Sequence, residues 1–91
     1  MDSDDTLALK WLQKQPKITE AYVKKTFEIQ RQSANGSSER ITVTVLDAGN
    51  EVPPQSRYMA YAESRGGKSA NGNQAPDIAT AISILHWHNF D

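Results

Sequence analysis

The stretch Ile18-Thr19-Glu20-Ala21-Tyr22-Val23-Lys24-Lys25-Thr26-Phe27-Glu28-Ile29-Gln30-Arg31-Gln32 decides the fold, because its apolar residues can be counted with two periods. As a helix, Ile18, Tyr22 and Ile29 share a face that Lys25 interrupts. As a strand, Val23, Phe27 and Ile29 alternate with polar neighbours, again interrupted by Lys25. Residue type breaks the tie. Thr19, Tyr22, Val23, Thr26, Phe27 and Ile29 are β-branched or aromatic, and such side chains suit a pleated surface better than a helix. A strand from about Val23 to Gln32 is the reading adopted.

What flanks this stretch follows from turn and cap chemistry. Upstream, Asp4 or Asp5 can cap a helix running to about Gln15, with Leu7, Ala8, Trp11 and Leu12 on one stripe, Lys10 and Lys14 toward its negative end, and Pro16 as the stop. Trp11 is expected to anchor that helix in the core. Downstream, Ser33-Ala34-Asn35-Gly36-Ser37-Ser38 is a turn cluster. It leads to Arg40-Ile41-Thr42-Val43-Thr44-Val45-Leu46, a strand with Ile41, Val43 and Val45 on one face and Thr42 and Thr44 expected in solvent on the other. Pro53-Pro54 forbids regular pairing, and Arg57-Tyr58-Met59-Ala60-Tyr61-Ala62-Glu63 reads as a third strand, its alanines small enough for a helix to lie close. A polar run from Ser64 to Ala75 then feeds through Pro76-Asp77, Pro at the first helical position, into an apolar helix expected to reach Phe90 and close the core.

The expected fold class is α+β: α-β-β-β-α, a three-stranded antiparallel sheet with two helices packed on one face. In order of elements this resembles double-stranded-RNA-binding domains. Those domains open their last helix with phosphate-gripping lysines, a place held here by Asn73-Gln74-Ala75-Pro76-Asp77, where Asp77 repels an anion, so the family is not assigned. Were residues 18–32 helical, the order α-α-β-β-α would resemble a winged helix with Lys24 and Lys25 on its recognition helix.

The chain has 91 residues, the size of one domain, and such a domain buries only roughly 60 to 65% of its unfolded surface. A deep catalytic cleft is not expected. Ten Lys or Arg stand against eleven Asp or Glu, so no global field draws nucleic acid or an anionic membrane. There is no cysteine, hence no disulfide framework and no thiolate metal site, which fits a reducing cytoplasm. Neither a secretory leader nor a membrane-spanning run is read, and the expectation is a cytoplasmic protein without a membrane.

Three constellations invite chemistry. Arg65-Gly66-Gly67-Lys68-Ser69 resembles the end of a phosphate loop, but the opening glycine would fall at Ala62. What survives is a pair of donors, Arg65 and Lys68, expected in a flexible loop beside a helix N-terminus. His86 and His88, two apart on a helix, would point apart, so no metal is assigned. No nucleophile with a base and no close pair of acids is found, so no catalytic residue and no cofactor are assigned, and the chain is read as non-enzymatic.

The functional expectation is an interaction module that binds a protein partner or itself through the open sheet face. Arg57, Met59 and Tyr61 of the third strand, residue types that dominate binding hot spots, are the candidate contacts. The alternative is a nucleic-acid-binding domain that uses Lys24, Lys25 and Arg31 with Arg65 and Lys68 as phosphate contacts.

Overall fold

The computed structural model describes residues 3–91; Met1 and Asp2, and with them part of the acidic start, lie outside the described residues. The fold is α+β. Helix α1 is Ser3–Gln13, and a single antiparallel sheet holds β1 (Val23–Gln32), β2 (Ser38–Asp47), β3 (Tyr58–Ser64) and β4 (Ser69–Asn71) in that spatial order. Helix α2 is Ile78–Ser83, and a 3-10 turn over Trp87–Phe90 follows it.

Residues 23–32 are strand, which removes the winged-helix order. Each of them has a partner on β2, from Val23 opposite Asp47 to Gln32 opposite Ser38. Glycine supplies the positive φ that the connecting turn needs, at Gly36 (φ 90). On β2, Ile41, Val43 and Val45 are buried together with Ala60 and Ala62 of β3, and α2 packs above them through Ala81, Ile78 and Ile82. Small alanines do bring that helix close. Thr44, expected in solvent, is 4% exposed, because it lies between its cross-strand neighbours Thr26 and Tyr61.

The sheet has four strands, not three. Residues 65–68, expected in a flexible loop, make a tight turn instead: Lys68 O accepts from Ser64 N at 2.8 Å, Ser64 Oγ accepts from Lys68 N at 2.9 Å, and Gly67 takes φ 95. The resulting β4 is three residues long, Ser69-Ala70-Asn71, with Ala70 buried. Tyr58 and Ala75 then exchange two backbone hydrogen bonds, so Ala75 extends the cover along the same side of β3.

The last segment is not one helix to Phe90. Asp77, rather than a position inside the helix, is the N-cap, its carboxylate accepting from Thr80 N at 2.7 Å, and Pro76 precedes that cap. The helix ends at Ser83, and the break returns Phe90 to the core at 1% exposure. A continuous helix rises about 1.5 Å per residue and would have carried Phe90 past the sheet.

Helix α1 departs furthest from expectation. Ser3 is already helical, so the helix begins ahead of Asp4 and Asp5, the two positions expected to precede it. The stripe of Leu7, Trp11 and Leu12 faces outward, with Trp11 63% exposed, and among the described side chains of the helix only Leu9 is buried. The helix is docked at the end of the sheet instead of over it. Gln13 Nε2 donates to Ala48 O at 2.8 Å and to Ala21 O at 3.2 Å, and Leu9 packs against Gly49. One helix therefore covers the sheet, and the helix-side face of β1 is left open, with Phe27 42% and Ile29 36% exposed.

Candidate functional site

The face of the sheet opposite α2 is built by alternation. Even-numbered residues of β1 and β2 and odd-numbered residues of β3 project there, so register sets three cross-strand rows: Glu28-Thr42-Glu63, Thr26-Thr44-Tyr61 and Lys24-Leu46-Met59. The first two rows and Lys24 of the third floor a shallow groove of about 700 Å³, with Leu46 and Met59 lying just beyond its end. Charges of both signs line it, with Lys24, Arg40 and Arg65 against Glu28 and Glu63, around the ring of Tyr61. Arg40 Nη1 donates to Glu28 Oε2 at 3.2 Å on this face, an exposed pair that organises the two side chains and adds little stability.

Met59 and Tyr61 are half-buried on this open face, beside the half-buried Leu46. Arg57 is not with them. Its backbone is helical (φ −68, ψ −41) at the end of the 3-10 turn Pro54–Ser56, which takes the residue out of the strand's alternation. Its Nε and Nη2 donate to the two oxygens of Asp47 at 2.8 and 3.2 Å, and its guanidinium lies 5.0 Å from the centre of the Tyr58 ring. Asp47 also accepts from Gly49 N, and its hydrogen bonds to Arg57 hold that guanidinium's pKa above its ordinary value. Arg57 thus closes the turn between β2 and β3, a role that spacing along the sequence did not reveal.

The five basic residues considered for phosphate contact are divided. Lys24 lies on the open face, while Lys25 and Arg31, of opposite parity, belong to the helix side of β1. Arg31 Nη1 donates to Asp91 Oδ1 at 2.7 Å and is neutralised there. Arg65 reaches the groove, and Lys68 is exposed on the turn beyond it. The chain runs from these two residues into β4, not directly into a helix. The neighbouring group is a carboxylate, since a Cβ at Gly66 would come within 2.8 Å of Glu39 Oε2.

His86 and His88 are both exposed, and because no continuous helix holds them they approach instead of diverging, ring centres 5.7 Å apart. Among the described residues no group of three or more His, Cys, Asp or Glu side chains is placed to hold a metal ion. Among the same residues no helix is long and apolar enough to cross a membrane. No family model matches the chain, and neither a curated protein nor a solved structure matches it.

Proposed function

We propose that this chain is a non-enzymatic interaction module that binds a protein partner, or a second copy of itself, through the open face of its sheet. The observation that carries the reading is the placement of Met59 and Tyr61, with Leu46, half-buried together on a face whose other side chains are polar or charged and include the Arg40–Glu28 pair. An apolar and aromatic centre inside a polar rim is the composition on which protein interfaces concentrate their affinity. The mixed charges of the rim suit a polypeptide bearing both signs better than a polyphosphate backbone. The cysteine-free sequence fits a reducing cytoplasm as the setting.

The experiment replaces Tyr61 by a photo-crosslinking phenylalanine analogue in the full chain, with the same analogue at Lys68 as a control. A protein adduct at Tyr61 that the control lacks, and that Met59→Ser reduces with the melting temperature unchanged, supports the reading. Equal adducts at both positions overturn it, as does a mobility shift with nucleic-acid probes that weakens steeply with added salt.

A further inference from the structure

The two edges of the sheet are treated differently by the fold. On the β4 side the chain itself supplies a cover: Asn71 O accepts from His86 N at 3.4 Å, Ser69 O accepts from Asn89 Nδ2 at 3.1 Å, and Ala75 pairs with Tyr58. On the other side β1 is the last strand, ten residues long, and none of the described residues forms a strand beyond it. An edge of that length presents a row of unpaired N-H and C=O groups, the usual template for another chain. Its helix-side face also carries the uncovered Phe27 and Ile29.

Charge says what can pair there. When two copies of β1 meet antiparallel about a two-fold axis normal to the sheet, residues of equal parity face each other, so each register sets a distinct group of cross-strand pairs. Centring on Lys25 places Lys25 against itself. Centring on Glu28 places Glu28 against itself and Lys25 against Arg31. Centring on Phe27 opposes Lys25 to Ile29 and forms no ion pair. Centring on Thr26 opposes Lys24 to Glu28 twice on the open face, and Val23 to Ile29 and Lys25 to Phe27 twice on the helix side. Opposite charges in facing positions stabilise antiparallel pairs and like charges destabilise them. Only the Thr26-centred register forms ion pairs and avoids repulsion. It also ends at Ile29, leaving Arg31 free to keep its pair with Asp91.

We propose that the free edge of β1 pairs antiparallel with β1 of a second copy of this chain, about a two-fold axis at Thr26, with Lys24 of each copy facing Glu28 of the other. The two four-stranded sheets then form one continuous sheet, and Phe27 and Ile29 of both copies gather in the trough between the two α2 helices. Lys24 and Lys25, which repel an unmatched strand, become the elements that select the register. Lys24 and Glu28 also line the near side of the groove around Tyr61, so the two surfaces adjoin, and Tyr61→Ser, which leaves the edge residues in place, separates the dimer from the open-face reading.

The test uses sedimentation equilibrium of the full chain at low salt. The expected result is a concentration-dependent rise from the 10.1 kDa monomer toward twice that mass. Lys24→Glu alone and Glu28→Lys alone should each raise the dissociation constant at least tenfold, and the double exchange should restore it; Tyr61→Ser should leave it unchanged. An independent readout is Thr26→Cys in this cysteine-free chain. Facing Cα atoms in such a pair lie about 4.5–5.5 Å apart, within disulfide range, so mild oxidation should cross-link it, whereas Lys68→Cys should stay monomeric. A monomer at every concentration, a dimer indifferent to both single exchanges, a double exchange that does not restore association, or no cross-link at Thr26→Cys would overturn the proposal.

Discussion

The guanidinium of Arg31 and the carboxylate of Asp91 meet at 2.7 Å, joining the final 3-10 turn to the distal end of β1 across the helix-side face of the sheet. The Arg31 guanidinium also lies 6.0 Å from the centre of the Trp87 ring, and Trp87 Nε1 donates to Ile82 O at 3.0 Å. An edge strand, an indole and the last turn are thereby linked, and the linkage holds Phe90 over the core. Replacing Arg31 with Ala should loosen that turn before it affects the sheet. The expected signs are a red shift of Trp87 emission, read in a Trp11→Phe background, and a small fall in melting temperature relative to the wild type, a difference that added salt narrows because exposed ion pairs are screened.

Acid should act through the same turn and through the cap of α2. The Arg31 hydrogen bond holds the Asp91 carboxyl below its ordinary value of 3.8, and the Thr80 backbone amide does the same for Asp77. A carboxyl whose pKa is depressed by folding stabilises the fold above its unfolded value, and that contribution is lost as pH falls through the folded one. Melting temperature followed downward from neutral pH should therefore hold steady and then fall below the ordinary carboxylate range. Asp77→Asn with Asp91→Asn, which keeps a side-chain cap on α2, should flatten that fall; an unchanged profile would place the acid sensitivity elsewhere.

The core depends on the returning residue. Phe90 is 1% exposed and is among the largest fully buried side chains, with Ile41, Val43 and Val45. Phe90→Ala should cost about 3–5 kcal/mol, comparable with the whole stability of a small domain, so the variant should lose its cooperative thermal transition. Phe90→Leu should remain folded with a lowered melting temperature.

How far the sequence reveals this architecture depends on where pattern and packing agree. Alternation in Ile41, Val43 and Val45 and the β-branched character of residues 23–32 identify two strands correctly, because one buried face leaves period two in the chain. β4 leaves no such trace. Its three residues are brought onto β3 by the Ser64–Lys68 turn and held there by bonds from Asn89 and His86, which no periodicity records. The amphipathic stripe of α1 misleads for a different reason: docking is decided by Gln13 and Leu9 at the sheet's end, so Trp11 stays outside although its spacing suits a core. Of the candidate site, Met59 and Tyr61 follow from strand alternation. Arg57 does not, since the 3-10 turn before it resets the backbone.

The docking of α1 is testable at Gly49. This residue has φ 88, a conformation that costs a non-glycine residue about 1–3 kcal/mol, and a Cβ there would lie 3.0 Å from Leu9 Cδ2. Gly49→Ala should lower stability by that order and free α1 preferentially. Hydrogen exchange should accelerate in residues 5–13 while amides of β2 and β3 stay protected; uniform acceleration would show α1 to be integral to the cooperative unit.

Asp47 and Arg57 give the sharpest separation of structural from binding roles. The Asp47 carboxylate, nearly buried, accepts from both Arg57 nitrogens and from Gly49 N, so Asp47→Ala strips three hydrogen bonds from one turn. Each bond to a charged group is worth about 1.5–3 kcal/mol, but they are not additive, and a loss of about 2–3 kcal/mol is expected in denaturant unfolding. Arg57→Ala removes two of the three and leaves the Gly49 amide bond in place, so its loss should be smaller. Were Arg57 a partner contact on the open sheet, Arg57→Ala would instead weaken capture at Tyr61 with stability unchanged. The geometry predicts the reverse: the melting temperature falls, and the Tyr61 adduct persists at temperatures where the variant stays folded.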